Sequence, residues 1–448
     1  MTSFPITTAQ PIEHANDLPA ETDFVVIGGG IIGVTTAWTL AKAGHRVTLL
    51  EKGRIAAEQS SRNWGWFRAQ GRDLGELPIA LEAQRLWGEI APQLDCDIGL
   101  TQGGTLYLAE DEEALGRYQG WLDQAKTYQV SSRMLTADAV RDLMPSARQT
   151  VVGGLHTPTD CRAEPWLAVP AIARLAAQAG VTLVENCAVR TLDREAGRIT
   201  GVVTERGRIK TPAVVLAGGA WSSLFLRRHG IALPQLSVRA TVVQTEPLPE
   251  VFAGGAVGRN VAFRRRADGG YTLAPSTRHD FYIGPDSLRH FRAFQPIFRR
   301  DRRSTRLQPM APRGFPDAWG QARKWSGDSE SPFERMRVLN PTPNANLVKG
   351  MARDMAAMFP HLGEVRVKTA WAGMIDALPD DVPVVDRVAS VPGLTVATGM
   401  CGHGFGIGPA FGRIAAELAM GRDPGHDLDR FRFSRFSDGS RIELGMAP

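Results

Sequence analysis

The stretch Phe24-Val25-Val26-Ile27-Gly28-Gly29-Gly30-Ile31-Ile32-Gly33 decides the fold of this chain. Its first four residues are an unbroken apolar run, which is typical of a strand buried on both faces of a parallel sheet. The glycines that follow match the pattern G-x-G-x-x-G. In that pattern Gly28 permits a tight turn, Gly30 lets the backbone approach a pyrophosphate, and Gly33 lets a helix pack closely on a strand.

The residues after this turn complete a βαβ unit. Val34 to Ala43 has the apolar spacing of a helix, Gly44 ends it, and Arg46 to Leu50 has the character of a second strand. Glu51 stands at the end of that strand, where an acid accepts hydrogen bonds from ribose hydroxyls. This order predicts that a dinucleotide binds with its pyrophosphate at the helix N-terminus, and the alternative is a purely structural βαβ unit.

The composition is that of an ordinary soluble globular protein. At 448 residues, with 43% apolar and 22% charged side chains, the chain can bury a large core. No apolar run reaches the roughly 18 residues of a membrane span. The first 22 residues lack the apolar segment of a secretory signal, so we interpret them as a lead-in. The four cysteines are scattered and form no C-x-x-C pair, which argues against disulfides and a metal site and indicates a reducing, cytoplasmic location.

Residues 289 to 306 carry seven arginines against one aspartate. One interpretation is a solvated, flexible arm, and the other is a docking patch for an anionic surface or a redox partner. Nucleic acid is not expected as a partner, because no nucleic-acid-binding motif accompanies the charge.

A polar segment that contains glycine and tryptophan follows the βαβ unit. It reads Ser60-Ser61-Arg62-Asn63-Trp64-Gly65, where an ordinary nicotinamide-binding domain would continue into a plain helix. Small hydroxyls and backbone amides suit a second pass along a long cofactor, towards a ribityl chain and ring. The alternative is a surface loop with a helix cap at Ser60 or Ser61.

The middle of the chain contains a second strand that is followed by a glycine turn, and after it come predicted antiparallel strands. Val214 to Ser222 predicts a buried strand that runs into a glycine turn, close to the adenosine half of a cofactor. The region after it predicts antiparallel strands at Leu236 to Thr245, Val261 to Arg266 and Tyr271 to Pro275. We therefore predict an α/β and α+β protein in which an inserted, mixed or antiparallel substrate domain interrupts a discontinuous Rossmann-type domain. The predicted cofactor domain is 23–90, 151–232 and 366–448, and the predicted substrate domain is 91–150 and 233–365.

The last part of the chain predicts a second glycine-rich strand-to-helix turn. Leu394 to Thr398 is a predicted strand, Gly399 to Pro409 is glycine-rich with His403 in its middle, and Ala410 to Met420 is a predicted helix. The positive end of such a helix favours an anion, and in a flavoenzyme that anion is the edge of the reduced ring. The alternative for His403 is a structural histidine.

Four blocks of the sequence together resemble the D-amino-acid oxidase superfamily, especially its glycine oxidase, sarcosine oxidase and amino-acid dehydrogenase branch. The blocks are Gly28 to Gly33 with Glu51, Ser60 to Gly65, Val214 to Ser222, and Trp371 to Pro383 with Gly402 to Pro409. The resemblance covers nearly the whole chain in the family's order. It implies FAD, a discontinuous cofactor domain, and oxidation of a C–N bond in an amino acid or related amine.

By the same resemblance, separate segments of the chain hold the cofactor. The implied cofactor-binding residues are Gly28, Gly30, Ile31, Ile32, Gly33, Glu51, Lys52, Ser60, Ser61, Arg62, Asn63, Trp64, Gly65, Val189, Ala217, Gly218, Trp221, Gly373, Met374, Gly402, His403, Gly404, Phe405, Gly406 and Ile407. Sarcosine oxidases attach flavin to a cysteine in the block that here reads Ala370-Trp371-Ala372-Gly373, so the FAD is predicted to be non-covalent. Gly406-Ile407 stands where those enzymes carry a lysine, which makes the block more similar to amino-acid dehydrogenases.

The predicted chemistry is hydride transfer from the carbon that bears a neutral amine to flavin N5, and the imine product then hydrolyses. This reaction requires no acid or base from the protein. A substrate carboxylate would call for an arginine, for which Arg68 is the first candidate and Arg264 the second; a surface role is the alternative for both. Tyr271 and Trp371 are candidates for the apolar walls, or else ordinary core aromatics.

Two other functions stay open from the sequence. The same fold could oxidise a C–O bond, as in a 2-hydroxy acid, or the chain could be a non-catalytic flavin-binding protein that docks a partner through its arginine-rich arm. The electron acceptor, oxygen or a quinone or other electron-transfer acceptor, is also open, and so is the stereochemistry of the substrate.

Overall fold

The computed structural model describes residues 4–302 and 304–445 of the chain. Its strands are β1 (Phe24–Ile27), β2 (Val47–Leu50), β3 (Trp66–Phe67), β4 (Thr105–Ala109), β5 (Arg133–Thr136), β6 (Gly153–Thr157), β7 (Cys161–Arg162), β8 (Thr182–Val184), β9 (Val189–Glu195), β10 (Arg198–Thr204), β11 (Gly207–Lys210), β12 (Ala213–Leu216), β13 (Leu236–Thr245), β14 (Gly255–Val257), β15 (Val261–Arg265), β16 (Tyr271–Pro275), β17 (His279–Tyr282), β18 (Thr305–Gln308), β19 (Val367–Ala377), β20 (Val384–Arg387) and β21 (Leu394–Thr398).

The strands form two large sheets, and the described part of the chain also contains twelve α-helices. They are α1 (Ile31–Lys42), α2 (Gln59–Arg62), α3 (Leu77–Ile90), α4 (Glu112–Ala125), α5 (Ala137–Leu143), α6 (Pro165–Gln178), α7 (Ser222–Arg228), α8 (Pro285–Arg289), α9 (Phe291–Arg300), α10 (Pro332–Arg335), α11 (Ala345–Met358) and α12 (Gly404–Ala419). Among the described residues, no helix is both long enough and apolar enough to span a membrane.

The first sheet is the one that the opening stretch predicts. Its strand order is β20-β21-β12-β1-β2-β8, and all neighbours are parallel except β20, which is antiparallel to β21. β1 lies in the interior of the sheet, and Val25 and Val26 are fully buried because helices or other elements cover both faces. This topology confirms the predicted Rossmann-type fold.

Two glycines on α12 let this helix pack against α1 at very short range. A Cβ atom at Gly412 would lie 2.0 Å from Oγ1 of Thr35, and one at Gly408 would lie 2.4 Å from Cγ1 of Ile31. The Thr35 hydroxyl donates a hydrogen bond of 3.2 Å to the Gly408 carbonyl across the same contact. The end of the chain is therefore fixed directly to the helix that follows the first glycine turn.

The second sheet is mixed and belongs mostly to the predicted substrate domain. Its strands follow the order β18-β17-β13-β16-β15-β14-β4-β6-β5, and β19 pairs with β13. The predicted antiparallel strands at β13, β15 and β16 are present. β6 and β19 also join this sheet, although the sequence analysis placed both of their segments in the cofactor domain. β6 pairs with β4 and β5, and β19 pairs with β13, so both strands belong to the second sheet. The sequence alone does not show which strands pair with each other.

The third part of the fold is a small antiparallel sheet of order β11-β10-β9, which precedes β12. Its strands β10 and β11 pair antiparallel as a hairpin. The last helix, α12, begins at Gly404, six residues before the predicted start at Ala410. Part of the predicted glycine loop is therefore helical. Gly406 and Gly408 lie within α12 and pack against other parts of the protein.

Candidate active site

A cavity of about 720 Å³ is lined by residues of both large sheets. Its volume falls within the ~300–1,000 Å³ that is typical of cofactor and ligand sites. The carboxyl ends of β1, β2 and β12 reach it at Ile27, Leu50 and Leu216. The N-termini of both α1 and α12 open into the same cavity, so two sets of free N–H groups and two helix dipoles are available to anions.

Most of the predicted cofactor-binding residues line this cavity. They are Gly28, Gly30, Ile31, Ile32, Glu51, Lys52, Ser60, Arg62, Asn63, Trp64, Val189, Ala217, Gly218, Trp221, Gly373, Gly402, His403, Gly404 and Phe405. The structure thus brings together four segments that lie far apart in the chain.

The glycine turn after β1 has the geometry that its sequence predicts. Gly28 has a φ of +111°, and a Cβ atom there would lie 2.4 Å from the Ala217 carbonyl oxygen. A side chain at this position is therefore excluded both by its backbone conformation and by space. The N–H of Ile31, at the start of α1, donates to the Ser60 hydroxyl over 2.9 Å, which ties the second pass of the chain to the first turn.

Glu51 lies at the same end of the cavity and is held by the backbone. Its carboxylate accepts hydrogen bonds of 2.7 Å from the N–H groups of Gly29 and Gly53. Burial raises the pKa of Glu51, although Lys52 and these hydrogen bonds oppose the shift. An acid that is already oriented in this way suits the hydroxyls of a ribose.

Glu58 is a cavity residue that the sequence analysis missed. Its carboxylate accepts hydrogen bonds from Lys52 Nζ (2.6 Å), from Trp221 Nε1 (3.1 Å) and from the Leu339 N–H (3.0 Å). Glu58 belongs to no recognisable sequence motif. Its hydrogen bonds to residues that are distant in the chain become visible only in the folded structure. Through Glu58 the two predicted contacts Lys52 and Trp221 are held in one arrangement.

Arg62 is a buried cation beside the segment that contains Gly373. It donates to the backbone carbonyls of Ala57 (2.8 Å), Ala372 (3.0 Å) and Ile6 (3.0 Å). Burial lowers the pKa of Arg62 to about 10. This side chain joins the α2 segment to β19 and sets the distance between two walls of the cavity.

Asp376 fixes the loop that precedes α12. Its carboxylate accepts a hydrogen bond of 2.9 Å from the Gly399 N–H, and its backbone carbonyl accepts one of 3.1 Å from the Cys401 N–H. Burial raises the pKa of Asp376, and the hydrogen bond from Gly399 opposes the shift. The glycine loop and β19 therefore form a single wall.

His403 lies at the N-terminus of α12, with 19% of its side chain exposed. Its Nδ1 lies 3.5 Å from Oε2 of Glu76, which is itself completely buried. Burial, and then the charge of Arg72, hold the pKa of His403 well below its usual range, so its ring is neutral at pH 7. The histidine therefore presents a neutral ring to the cavity instead of a positive charge.

Six of the predicted cofactor-binding residues do not line the cavity. Gly33 packs against the Gly28 carbonyl, and Gly406 packs against the backbone of Trp66 and Phe67. Ile407 is buried in the core beneath the first sheet. Ser61, Gly65 and Met374 are also turned away from the cavity. For Gly406 and Ile407 the physical reason is that α12 has already begun, so its second turn faces other helices and strands.

Three of the four predicted substrate contacts also lie outside the cavity lining. Arg264 forms a buried ion pair with Glu164, with NH2 2.9 Å from Oε2, and its Nε donates to the Trp64 carbonyl. The Tyr271 hydroxyl donates to the Pro249 carbonyl over 3.2 Å, and Trp371 Nε1 donates to the Arg62 carbonyl over 2.9 Å. These contacts explain all three side chains without a substrate.

The fourth, Arg68, lines the cavity on the side of the second sheet. Its NH1 donates to the Tyr107 hydroxyl over 2.5 Å and to the Gln70 carbonyl over 2.7 Å. Arg72 lies beside it and is only 3% exposed, and its NH1 has no hydrogen-bond partner in the described part of the chain. Burial lowers the pKa of Arg72 to about 10, with a further contribution from Arg68. Two adjacent guanidinium groups, one of them with a free donor, therefore face the same end of the cavity.

Glu76 makes the stability of the protein depend on pH. Among the described residues its carboxylate oxygens have no hydrogen-bond partner, and burial raises its pKa to about 7. An acid whose pKa is higher in the folded state binds a proton more tightly there, so stability falls as pH rises from the unfolded value near ~4.3 towards 7. We expect Glu76→Gln to stabilise the protein by about 3 kcal/mol at pH 8 and by little at pH 4.5.

Denaturant titrations of both proteins at the two pH values measure this effect. Glu89→Gln, at an exposed position of α3, is the control, and its effect should be small at both pH values because its ion pair with Arg85 lies at the surface. An equal gain for Glu76→Gln at both pH values would show that the carboxyl group titrates normally.

The residues of the cavity fit FAD. The two helix N-termini suit a pyrophosphate, the oriented acid Glu51 suits a ribose, and the volume of about 720 Å³ can hold a large dinucleotide. Cys401 is the cysteine that lines the cavity; its Sγ donates to the Gly399 carbonyl over 3.0 Å, and burial raises its pKa well above the usual range. A protonated, hydrogen-bonded thiol is a poor nucleophile, so covalent attachment of flavin is not favoured there.

We expect acid precipitation of the purified holoenzyme to release all of the flavin into the supernatant. The absorbance of supernatant and pellet at 450 nm measures the distribution. Cys401→Ser should release flavin to the same extent, whereas yellow colour in the wild-type pellet that disappears in this variant would identify Cys401 as a covalent attachment site.

The fold and the cavity are those of a dinucleotide-binding oxidoreductase in which the second sheet lines the same cavity as the Rossmann-type sheet. The family model described as "FAD dependent oxidoreductase" matches residues 23–418, and the chain belongs to this family. The solved structure of L-amino acid deaminase from Proteus myxofaciens in complex with anthranilate is similar, with a TM-score of 0.91 and 29% identity, and the match covers 96% of this chain and 97% of that one.

Curated relatives agree with this assignment. Sarcosine oxidase subunit beta of Rhizobium meliloti (strain 1021) is 26% identical over 428 residues, which are 94% of this chain and 90% of that protein. Mitochondrial sarcosine dehydrogenase of Mus musculus is 30% identical over 244 residues, but the match spans only 27% of its length.

These comparisons confirm the predicted family, the Rossmann-type fold and FAD as the cofactor. They also confirm the predicted class of enzyme, an FAD-dependent oxidoreductase whose relatives act on the C–N bonds of amino acids and amines. Neither the oxidation of a C–O bond nor a non-catalytic role is favoured.

Proposed function

We propose that this protein is an L-amino acid deaminase that uses FAD to oxidise the Cα–N bond of a free amino acid. The observation that carries the proposal is the pair Arg68 and Arg72 at one end of the cavity. A guanidinium group with a free donor in a buried site is suited to a carboxylate, which it can bind with two parallel hydrogen bonds. The 29% identity to an L-amino acid deaminase over nearly its full length supports the choice of substrate class.

When bound, FAD would supply the acceptor for a hydride from the α-carbon of the substrate, and hydrolysis of the imino acid would then give a keto acid and ammonia. The residues of the chain orient the substrate and exclude water from the reacting atoms. Arg68 and Arg72 hold the carboxylate, and the Tyr107 ring lies under the Arg68 guanidinium at 5.7 Å. Tyr107 and Trp66 also line the cavity and help to keep water from the reacting end.

The two arginines also act on the protonation state of the substrate. Only a neutral amine has the electron pair that drives loss of a hydride from the α-carbon. Nearby positive charges disfavour an ammonium group, so Arg68 and Arg72 lower the pKa of the substrate amine as well as binding its carboxylate. The protein therefore needs no side chain that acts as a general base.

We further propose that the electron acceptor is a quinone or another electron carrier, and that oxygen reacts slowly. Rapid reduction of oxygen at a flavin is helped by a positive charge that stabilises the superoxide formed first. The first turn of α12 supplies no such charge, because His403 is held neutral by burial and Gly406-Ile407 contains no lysine. The free thiols Cys96, Cys161, Cys187 and Cys401 support the proposal that the protein works in a reducing compartment such as the cytoplasm.

Anaerobic titration of the yellow holoenzyme tests the proposed function. L-amino acids should bleach the flavin absorbance, whereas D-amino acids, sarcosine and 2-hydroxy acids should not. The product should be a keto acid, measured as its hydrazone, and dichlorophenolindophenol should be reduced much faster than hydrogen peroxide appears. Bleaching by sarcosine or by D-amino acids alone would overturn the proposal.

A further inference from the structure

Several buried polar atoms without a hydrogen-bond partner lie behind the end of the cavity that holds Arg68 and Arg72. Within residues 4–302 and 304–445 they are NH1 of Arg72, both carboxylate oxygens of Glu76 and Nδ1 of His403. No part of Glu76 is exposed. Buried polar groups in proteins are almost always hydrogen-bonded, either to other protein groups or to ordered water. We call Arg72, Glu76 and His403 the Glu76 cluster, and its free donors and acceptors are suited to hold water.

Glu76 lies directly behind the wall of the cavity. His403 and Arg72 both line the cavity, and Nδ1 of His403 is 3.5 Å from Oε2 of Glu76. This separation is longer than a normal N–H···O hydrogen bond of about 2.9 Å, so the two groups leave each other free to bind a water molecule. A water molecule at this place would donate an O–H group to the carboxylate and would lie next to the cavity.

The surroundings of Glu76 suit a group that takes up and returns a proton. Burial raises the pKa of Glu76 to about 7, and the positive charge of Arg72 opposes this shift. A carboxyl group with a pKa near the working pH is an efficient acid and base. The charged or titratable groups around it are Arg68, Arg72, Asp73, Asp381, His403 and Arg430.

We propose that Glu76 activates a water molecule that hydrolyses the imino acid before this product leaves the protein. The inference rests on the proposed function, because that reaction supplies the imino acid. Hydride transfer needs no base from the protein, whereas attack of water on a C=N bond does. The carbon of that bond is joined directly to the carboxylate that Arg72 binds, so Arg72 brings the reacting carbon next to the Glu76 cluster.

The proposed hydrolysis is balanced by one proton that Glu76 takes and gives back. The water oxygen forms a bond to the carbon of the protonated imine, and one water proton moves to the Glu76 carboxylate. Glu76 then returns this proton to the nitrogen, and the C–N bond breaks. The remaining hydroxyl proton leaves with the ammonia, so the products are a keto acid and an ammonium ion. No oxidant or reductant is consumed in this step.

A single anaerobic turnover that is quenched with sodium borohydride tests this inference. The FAD-loaded protein is mixed with less than one equivalent of the L-amino acid that bleaches its flavin fastest. Borohydride reduces any remaining imino acid to racemic amino acid and reduces keto acid to 2-hydroxy acid, so D-amino acid measures the imino acid that was not hydrolysed. We expect mainly 2-hydroxy acid from the wild type at pH 8, and more D-amino acid at pH 6, where Glu76 is protonated.

Glu76→Gln removes the base and preserves the volume of the side chain. At pH 8 this variant should give about tenfold or more D-amino acid per reduced flavin than the wild type does. The difference should narrow at pH 6, because the wild type then also lacks the carboxylate. Glu89→Gln, which changes an exposed residue of α3, is the matched control and should behave as the wild type does.

The flavin absorbance of the same samples separates this inference from the proposed function. If the flavin bleaches and the wild type and Glu76→Gln give equal D-amino acid at pH 8, Glu76 does not activate water, and the proposed function stands. If no L-amino acid bleaches the flavin, the proposed function is wrong, and the inference is wrong with it.

Discussion

Replacing Arg72 with methionine should raise KM for an amino-acid substrate about 100-fold, while the purified variant keeps its full content of FAD. The expected loss corresponds to about 3 kcal/mol, the usual cost of removing one partner of a buried, hydrogen-bonded charge pair. Arg72 is nearly completely buried, and its NH1 has no hydrogen-bond partner in residues 4–302 and 304–445, so a substrate carboxylate is the group that would satisfy it. Methionine preserves much of the apolar volume and removes the charge.

An amine that lacks the carboxylate provides the decisive comparison for this variant. Its turnover should be low in both proteins and should change little on substitution, because Arg72 has no group to bind in it. Arg85→Met is the matched control, since Arg85 is exposed on α3 and pairs with Glu89 at the surface. An unchanged KM for the amino acid in Arg72→Met would remove Arg72 from the substrate site and leave Arg68 as the candidate.

The second large effect is expected at the contact between α1 and α12. Gly412→Ala places a methyl group 2.0 Å from Oγ1 of Thr35 and 2.9 Å from the backbone nitrogen of Thr36, so α1 and α12 must move apart. We expect a loss of about 3 kcal/mol in the free energy of unfolding, and weaker binding of FAD because both helix N-termini shift. Thermal unfolding and a flavin titration of the apoprotein measure the two effects.

Gly116→Ala is the control for that variant. Gly116 lies within α4, and a Cβ atom there would meet nothing within 4 Å. Alanine in an open helical position should stabilise the protein by about 0.5–1 kcal/mol. If Gly412→Ala behaves as Gly116→Ala does, the close packing of α1 on α12 is not what holds the cofactor site together.

The first turn of the chain could be predicted because its interactions are local. A buried strand, three glycines, a helix and an acid at the end of the next strand are all within 28 residues of one another, counted from Phe24 to Glu51. Each of these features depends on neighbours along the chain. For the same reason the strands β13, β15 and β16 follow from turn residues and apolar patterns.

The substrate side could not be predicted in the same way. Arg264 lies on a strand. The alternation of side chains along a strand shows which residues share one face of the sheet, but not which other part of the protein packs on that face. Its partner Glu164 is 100 residues away in the chain and decides its role. Arg72 carries no motif, and its importance depends on burial beside Arg68 in the folded protein. The spacing of Gly408 and Gly412 is an overlooked signal, because small residues four apart mark a close helix contact.

The distribution of the cofactor site along the chain has a consequence for biosynthesis. The N-terminal turn of α12 is supplied by residues near 404, yet it opens into the same cavity as the turn at Gly28. During translation, the ribosome must release almost the entire polypeptide before FAD can find its complete binding surface. Binding of FAD is therefore a late step in the maturation of the protein. When flavin is scarce, we expect the full-length chain to be made as apoprotein.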